Sequence, residues 1–269
     1  MTAGEALAGC GIDPAEARML LSSFSGLSHA SLVAHPEFEL SEDVYGLFAS
    51  AVSRRQEGEP IAYLLGEREF YNLKLGVTAD VLIPRPETEL LVDFALQYLP
   101  PNGALLDLGT GSGAIALAVK RERPDARVTA VDQSRPALAV ARTNASRNEL
   151  EIEFLQGSWF EPLDARRFDI VVSNPPYVAE GDRHLSEGDV RFEPRAALVG
   201  GTDGLAAIRQ IVAGTASHLN PGGWLAVEHG QGQDSEVQKL LVSAGLDSVS
   251  SRPDLAGIAR ISVGKYNLE

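Results

Sequence analysis

The chain has 269 residues, 44% of them hydrophobic and 22% charged, with a formal net charge of −14. That is globular composition, with room for one large domain and a small one. Its single cysteine, Cys10, excludes an intrachain disulfide and suits a reducing compartment, and the acidic balance argues against a dedicated nucleic-acid binder, which draws affinity from Lys and Arg.

Residues 1–66 read as a small helical module. Asp13-Pro14-Ala15-Glu16 supplies a cap, a proline at the first helical position and a glutamate at the third. Ser41-Glu42-Asp43 opens a second helix whose apolar face is predicted at Val44, Leu47, Phe48 and Ala51, and Glu59-Pro60 begins a third piece that ends at Gly66. Nothing here looks like chemistry, so a role in partner recognition is expected. The basic flank of a secretory signal is missing, and no stretch approaches the ~20 apolar residues of a membrane span.

Residues 67–84 carry short strand signals around Gly76 and read as a β-hairpin linker. Two prolines then stiffen Ile83-Pro84-Arg85-Pro86-Glu87-Thr88-Glu89, which leads into a helix over 88–99 with Leu90, Leu91, Phe94 and Tyr98 inward. This stretch either presents Arg85 or Glu87 to a site or simply starts the helix. From Ala104 onward strand and helix patterns alternate, with strands expected at 104–108, 127–131, 151–155, 169–173, 223–228, 246–251 and 258–263. Helices are expected between them at 113–122, 135–147, 203–219 and 233–244. Such alternation means a parallel sheet covered on both faces, here with an antiparallel pair at one end.

The first chemical motif is Asp107-Leu108-Gly109-Thr110-Gly111-Ser112-Gly113-Ala114, a strand, a glycine turn and a helix start. Asp132 ends the next strand, where a carboxylate can accept both hydroxyls of a ribose. The spacing fits a dinucleotide fingerprint and equally the glycine loop of S-adenosylmethionine enzymes. The second motif decides between them. In Ile170-Val171-Val172-Ser173-Asn174-Pro175-Pro176-Tyr177 a buried strand is stopped by two prolines. Asn174 and the rigid Pro175 carbonyl offer two acceptors to one planar NH2 group, and Tyr177 offers a face to stack on it. Hydride transfer has no use for that grip; methylation of a planar nitrogen does. Trp159, just after the third strand of the alternating region, either lines an adenine pocket or packs in the core. Glu228-His229 ends a later strand, and a buried, hydrogen-bonded histidine is expected there rather than an acid–base pair. The five histidines lack ligand spacing, so no metal centre is expected.

Taken together, Ile83 to Glu89, Asp107 to Gly113, Asn174 to Tyr177, Glu193-Pro194 and Asp254-Leu255-Ala256-Gly257 make the chain resemble the release factor glutamine methyltransferases of the PrmC/HemK type over nearly its whole length. The resemblance implies a Rossmann-like α/β class I S-adenosylmethionine-dependent methyltransferase domain with a seven-stranded mixed sheet. It implies an N-terminal substrate-recognition domain at 1–66, the hairpin linker at 67–84 and the methyltransferase domain at 85–269. The implied reaction moves a methyl group from S-adenosylmethionine, leaving S-adenosylhomocysteine, to the side-chain nitrogen of the glutamine in the Gly-Gly-Gln motif of class I peptide chain release factors. Gly109, Thr110, Gly111, Ser112, Gly113, Asp132 and Trp159 would hold the cofactor, with Asn174 beside it. Asn174, Pro175, Pro176 and Tyr177 would hold the glutamine. A cytoplasmic monomer without direct nucleic-acid or membrane contact is expected; the rival reading is a DNA or RNA amino-methyltransferase. The chain departs from the family pattern at Ser158, where an Asp is common, and at Asn72, where a Gly is common.

Overall fold

The structure is a computed structural model, and it describes residues 1–267; the last two residues of the expected 85–269 domain lie outside the described residues. The chain divides into two compact units, Met1–Glu67 with Ser186–Phe192, and Arg68–Leu185 with Glu193–Glu269.

The first unit has five helices: α1 (Ala3–Ala8), α2 (Pro14–Ser25), α3 (His29–Ala34), α4 (Glu42–Gln56) and α5 (Ile61–Leu65). Asp13 caps α2, accepting from Ala15 and Glu16, and Ser41 caps α4 by accepting from Val44, so the two cap signals act as their chemistry requires. Helices α1 and α3 are short and carry no long apolar period, which is why pattern alone passes over them. Leu20, Leu21, Leu32 and Phe48 form the core. Leu47, expected on the inward face of α4, is 55% exposed, because the buried stripe runs through Phe48, Ala51 and Val52 instead. Residues 186–192 were expected in the methyltransferase domain. They group with this unit through Asp189, which pairs with Arg55 at 2.8 Å, and through Arg191, which donates to the Glu57 carbonyl.

In the second unit a hairpin of β1 (Glu67–Phe70) and β2 (Leu73–Gly76) precedes helix α6 (Glu89–Tyr98). Tyr71 and Asn72 turn it with φ of 46° and 60°. Asn tolerates that left-handed region better than most residues, so the family's usual glycine is not required. The main sheet contains β3 (Ala104–Leu108), β4 (Arg127–Asp132), β5 (Glu153–Gln156), β6 (Phe168–Ser173), β7 (Leu219–Glu228), β8 (Asp247–Pro253) and β9 (Ala259–Lys265). Their order is β5-β4-β3-β6-β7-β9-β8, with β9 antiparallel to both its neighbours, so the sheet is the seven-stranded mixed sheet expected.

Helices α6, α7 (Ala114–Glu122) and α8 (Arg135–Arg147) cover one face, and α10 (Ala206–His218) and α11 (Asp234–Ser243) the other; the one-turn α9 is Arg195–Leu198. Side chains alternate accordingly: Leu105 packs under α7 and Leu106 under α10. Helix α10 starts three residues later than its apolar pattern, after Gly204 with φ of 76°. Tyr98, expected inward on α6, stays partly exposed beneath the Arg252 guanidinium.

One buried side chain ties three elements. Asn144 of α8 is fully buried; its Oδ1 accepts from Gly76 N–H at 2.7 Å, and its Nδ2 donates to the Gly76 and Ser112 carbonyls at 3.0 and 2.9 Å. Asn144→Ala should strip all three bonds and cost about 2–3 kcal/mol, since each orphaned buried group is penalised. Urea unfolding of the two proteins measures this; a loss under about 0.5 kcal/mol would show that the bonds are replaced.

Candidate active site

Strand β3 has β4 on one side and β6 on the other, so the connections after β3 and after β6 diverge and leave a crevice at the carboxyl ends of the strands. An open cleft of about 1030 Å³ lies there. Gly109 to Ser112 line it after β3, Asp132 after β4, Ser158 and Trp159 after β5, and Asn174 and Pro176 after β6. Residues of 80–84, Thr88, Pro194, Ala196 and Ala197 also line it.

On the β3–β4 side the glycine loop is held by carboxylates. Asp107 is fully buried; its Oδ2 accepts from the Thr110 hydroxyl at 2.6 Å and from Ala116 N–H at 3.3 Å. Its Oδ1 has no partner, and burial pushes its carboxyl up to about 7. Asp132 accepts from Gly111 N–H at 2.9 Å with one oxygen and from Ser134 N–H at 2.8 Å with the other. Burial raises its carboxyl pKa, and those two amides oppose the rise. Each oxygen keeps a further lone pair, which suits a vicinal diol. A Cβ at Gly111 would meet nothing within 4 Å, so the loop leaves open room for a ligand. The Trp159 ring lies over Gly109, its indole N–H donating to Gln210 Oε1 at 2.8 Å. This donor and acceptor set fits a nucleoside with a free ribose.

Gly113 does not line the cleft. It precedes α7 with φ of 85°, and a Cβ there would sit 3.0 Å from Leu117 and 3.3 Å from Ala141, so its job is close packing of the loop against two helices. Ser158 does line it, with an exposed side chain, while its N–H donates to Glu161 at 3.2 Å.

On the β6 side Asn174 Nδ2 donates to the Thr88 hydroxyl at 3.0 Å. That bond uses the carboxamide's donor end and leaves Oδ1 as a free acceptor. Pro175 is buried and Pro176 faces the cleft. Tyr177 is not among the cleft-lining residues; its hydroxyl donates to Glu228 Oε1 at 3.2 Å, and its carbonyl accepts from Gln233 at 3.1 Å. Its phenol is raised well above the usual tyrosine range, by burial first and then by the Glu228 charge. The Tyr177 ring is thus fastened at its hydroxyl end to Glu228. Backbone closes this wall, because a Cβ on Gly204 would lie 2.3 Å from the Tyr177 carbonyl oxygen and one on Gly200 2.4 Å from that of Pro176.

Arg85 points one guanidinium nitrogen at Glu193, whose other carboxylate oxygen accepts from Ile83 N–H at 3.0 Å. Arg85 therefore braces the proline-rich stretch before α6. His229 is fully buried; its Nδ1 donates to the Gly230 carbonyl at 3.0 Å and its Nε2 lies 2.9 Å from the Ser262 hydroxyl. Burial depresses its imidazole pKa, which keeps the ring neutral.

Two residues of the site carry no role in the sequence reading. Thr88 looks like an ordinary residue of a helix lead-in, and only the fold brings it to Asn174. Glu228 is 2% exposed, and its position at the end of a central strand was the available signal. Among the described residues no group of three or more His, Cys, Asp and Glu side chains could hold a metal, and no helix is long and apolar enough to cross a membrane.

Comparison with known proteins assigns both parts of the chain. Residues 2–66 match the PrmC N-terminal domain, and residues 86–189 the methyltransferase small domain. The release factor glutamine methyltransferase of Bordetella pertussis is 50% identical over 96% of this chain and 97% of its own length. That of Neisseria gonorrhoeae is 47% identical over 93% of each. The crystal structure of a methyltransferase from Pyrococcus furiosus shares the fold, with a TM-score of 0.58 and 18% identity over 82% of this chain and all of the other. With relatives this similar over nearly its full length, and with a glycine cradle and a free asparagine acceptor at the strand ends, the chain belongs to the release factor glutamine methyltransferase family.

Proposed function

We propose that this protein transfers the methyl group of S-adenosylmethionine to the side-chain amide nitrogen (N5) of the glutamine in the Gly-Gly-Gln motif of class I peptide chain release factors. The observation that carries the reading is Asn174, whose donor end is occupied by Thr88 and whose oxygen is free beside the glycine cradle. A free acceptor suits an NH2 donor and suits no hydride chemistry.

The cofactor supplies an electrophilic methyl group when bound. Gly109 to Ser112 take its backbone side, Asp132 its ribose hydroxyls and Trp159 its adenine, while Asn174 borders it. Gly113 supports the cradle from behind. The glutamine NH2 donates one hydrogen to Asn174 Oδ1 and the other to the Pro175 carbonyl. An amide nitrogen is a weak nucleophile because its lone pair is delocalised into the carbonyl. As that nitrogen becomes pyramidal and positive, both hydrogen bonds strengthen, so they favour the transition state over the ground state. The N-methylated nitrogen then sheds one proton to solvent, and no strong base is required. Pro176 shapes the wall and Tyr177 anchors it. The helical unit recognises the release factor away from the glutamine, and the work belongs to the cytoplasm, where release factors act.

Methyl transfer from labelled S-adenosylmethionine tests the reading, offered to a release factor, to its Gln→Ala variant in the Gly-Gly-Gln motif and to a DNA/RNA mixture. Label on the intact factor alone supports it; label on nucleic acid moves the assignment to a base amino-methyltransferase. Two substitutions separate the halves of the site. Asn174→Ala should lower kcat by about 10²–10³ and leave cofactor Kd within a few-fold, by analogy with loss of an oxyanion-hole donor; calorimetry that finds cofactor affinity falling in step would make it a cofactor residue. Asp132→Asn should raise cofactor Kd by about 10–100-fold, since a charge-assisted bond is lost; unchanged binding would remove the ribose assignment.

A further inference from the structure

Trp159 holds a backbone conformation that suits its side chain poorly. Its φ is 47°, in the left-handed region where a bulky residue is an outlier. Such strain persists only where the surroundings over-determine it. Here three of the holding groups lie on α10. The indole N–H donates to Gln210 Oε1 at 2.8 Å. The neighbouring Phe160 ring stacks on His218, with centroids 4.7 Å apart and planes 12° from parallel. Between these points sits Gly214, where a Cβ would lie 2.5 Å from the Phe160 ring. His218 is tied in turn, its Nδ1 donating to the Arg166 carbonyl at 2.8 Å. We propose that Gln210, Gly214 and His218 form a positioning stripe for the cofactor, with Gln210 fixing the Trp159 ring over the glycine loop before any ligand arrives. The inference rests on the functional reading, in which Trp159 takes the adenine.

One hydrogen bond can set the ring because indole has a single polar atom, a donor. Trp159 is half-buried, and its ring would otherwise be free to turn about its two side-chain bonds. A ring that must be ordered when the adenine stacks on it weakens binding by the freedom it loses. With the N–H held by Gln210, the far edge of the ring lies over Gly109, its Cζ3 3.4 Å from a Cβ built at that glycine. The ring is then already in place for a ligand that enters the loop. Neither Gln210 nor Gly214 is among the residues that line the cleft, so both act through Trp159.

The Phe160 contacts supply the second point of attachment. The three α10 residues are spaced four apart, so they share one face of the helix. Adjacent side chains fastened at two heights on that face pin the backbone between them, the left-handed turn included. Gly214 fits this account: glycine weakens a helix interior, and an alanine methyl there would run into the Phe160 ring. Room for the ring is what a mid-helix glycine supplies. The near end of the same loop is also held, since Gly157 N–H donates to the Asp132 carbonyl at 3.1 Å. The stacking wall and the ribose carboxylate therefore share one frame.

The test uses the full-length protein carrying Trp224→Phe, which leaves Trp159 as the one tryptophan. Trp224 packs against Phe94 and Tyr98, away from the cleft-lining residues, and Gln210 is exposed, so neither change opens the site. Time-resolved fluorescence anisotropy reads the local motion of the ring with no ligand present. Calorimetry gives the Kd of S-adenosylhomocysteine. Gln210→Leu keeps the bulk and removes the acceptor; it should add a fast anisotropy decay and raise Kd about 3–10-fold. Gln210→Glu restores an acceptor and should bring both readings back to within about twofold of the parent. Gly214→Ala, which displaces Phe160, should loosen the ring in the same way. Gln210→Leu should add nothing to the Kd of Trp159→Ala, because a residue that acts only through the ring has no effect once the ring is gone. A ring as rigid in Gln210→Leu as in the parent would overturn the proposal. So would a Kd that Trp159→Ala raises and Gln210→Leu leaves unchanged. A Kd that Trp159→Ala leaves unchanged would withdraw the adenine reading itself, and the proposal with it. No step needs turnover, so a wrong assignment of the methyl acceptor would leave this test standing.

Discussion

Leu108 and Ser173 are register partners at the ends of two neighbouring parallel strands, and the Ser173 hydroxyl donates to the Leu108 carbonyl at 2.7 Å. The next residues are Gly109 and Asn174. Their shared level on the sheet is what brings a glycine cradle and a free amide acceptor to one cleft. A slip of one residue in that pairing would move every side chain of β6 to the other face. Every residue of these two strands except Asp169 is buried, so the register is held by packing on two sides at once.

Around that fixed point the polar groups form two largely separate sets. Asp107 and Asp132 brace the glycine loop through hydroxyl and amide donors, with a lone pair to spare on Asp132. On the β6 side Thr88 holds Asn174 and Glu228 holds Tyr177. In both sets a buried carboxylate is hydrogen-bonded to a neighbouring hydroxyl, Asp107 to Thr110 and Glu228 to Tyr177.

Much of this architecture was legible in the residues. Strict alternation of apolar strands with amphipathic helices gives a doubly covered sheet, and prolines that cannot join a ladder mark where β6 must stop. The glycine loop and Asp132 stood out because few residue types can do their work. Other features depend on contacts between distant segments. Thr88 and Asn174 are 86 residues apart, and nothing local to either announces the hydrogen bond. Gly113 belongs to the motif by spacing but to the helix packing by position. The Tyr177 hydroxyl meets Glu228 across 51 residues, and no local signal marks that bond. The inward face of α4 was misjudged at Leu47 because a 3.6-residue period leaves the edge of a stripe ambiguous by one position.

The glycine wall behind Asn174 limits how this site can change. Gly200 and Gly204 press backbone directly against the Pro176 and Tyr177 carbonyls, with no side chain between them to enlarge or trim. A pocket built that way cannot be widened from the rear by substitution, because there is no atom to remove. Any drift in substrate range, natural or designed, has to come from other residues that line the cleft, such as Leu82, Ala196 and Ala197. The backbone-walled part of the site behaves as a mould, and the side-chain-lined part as the one that can be recut.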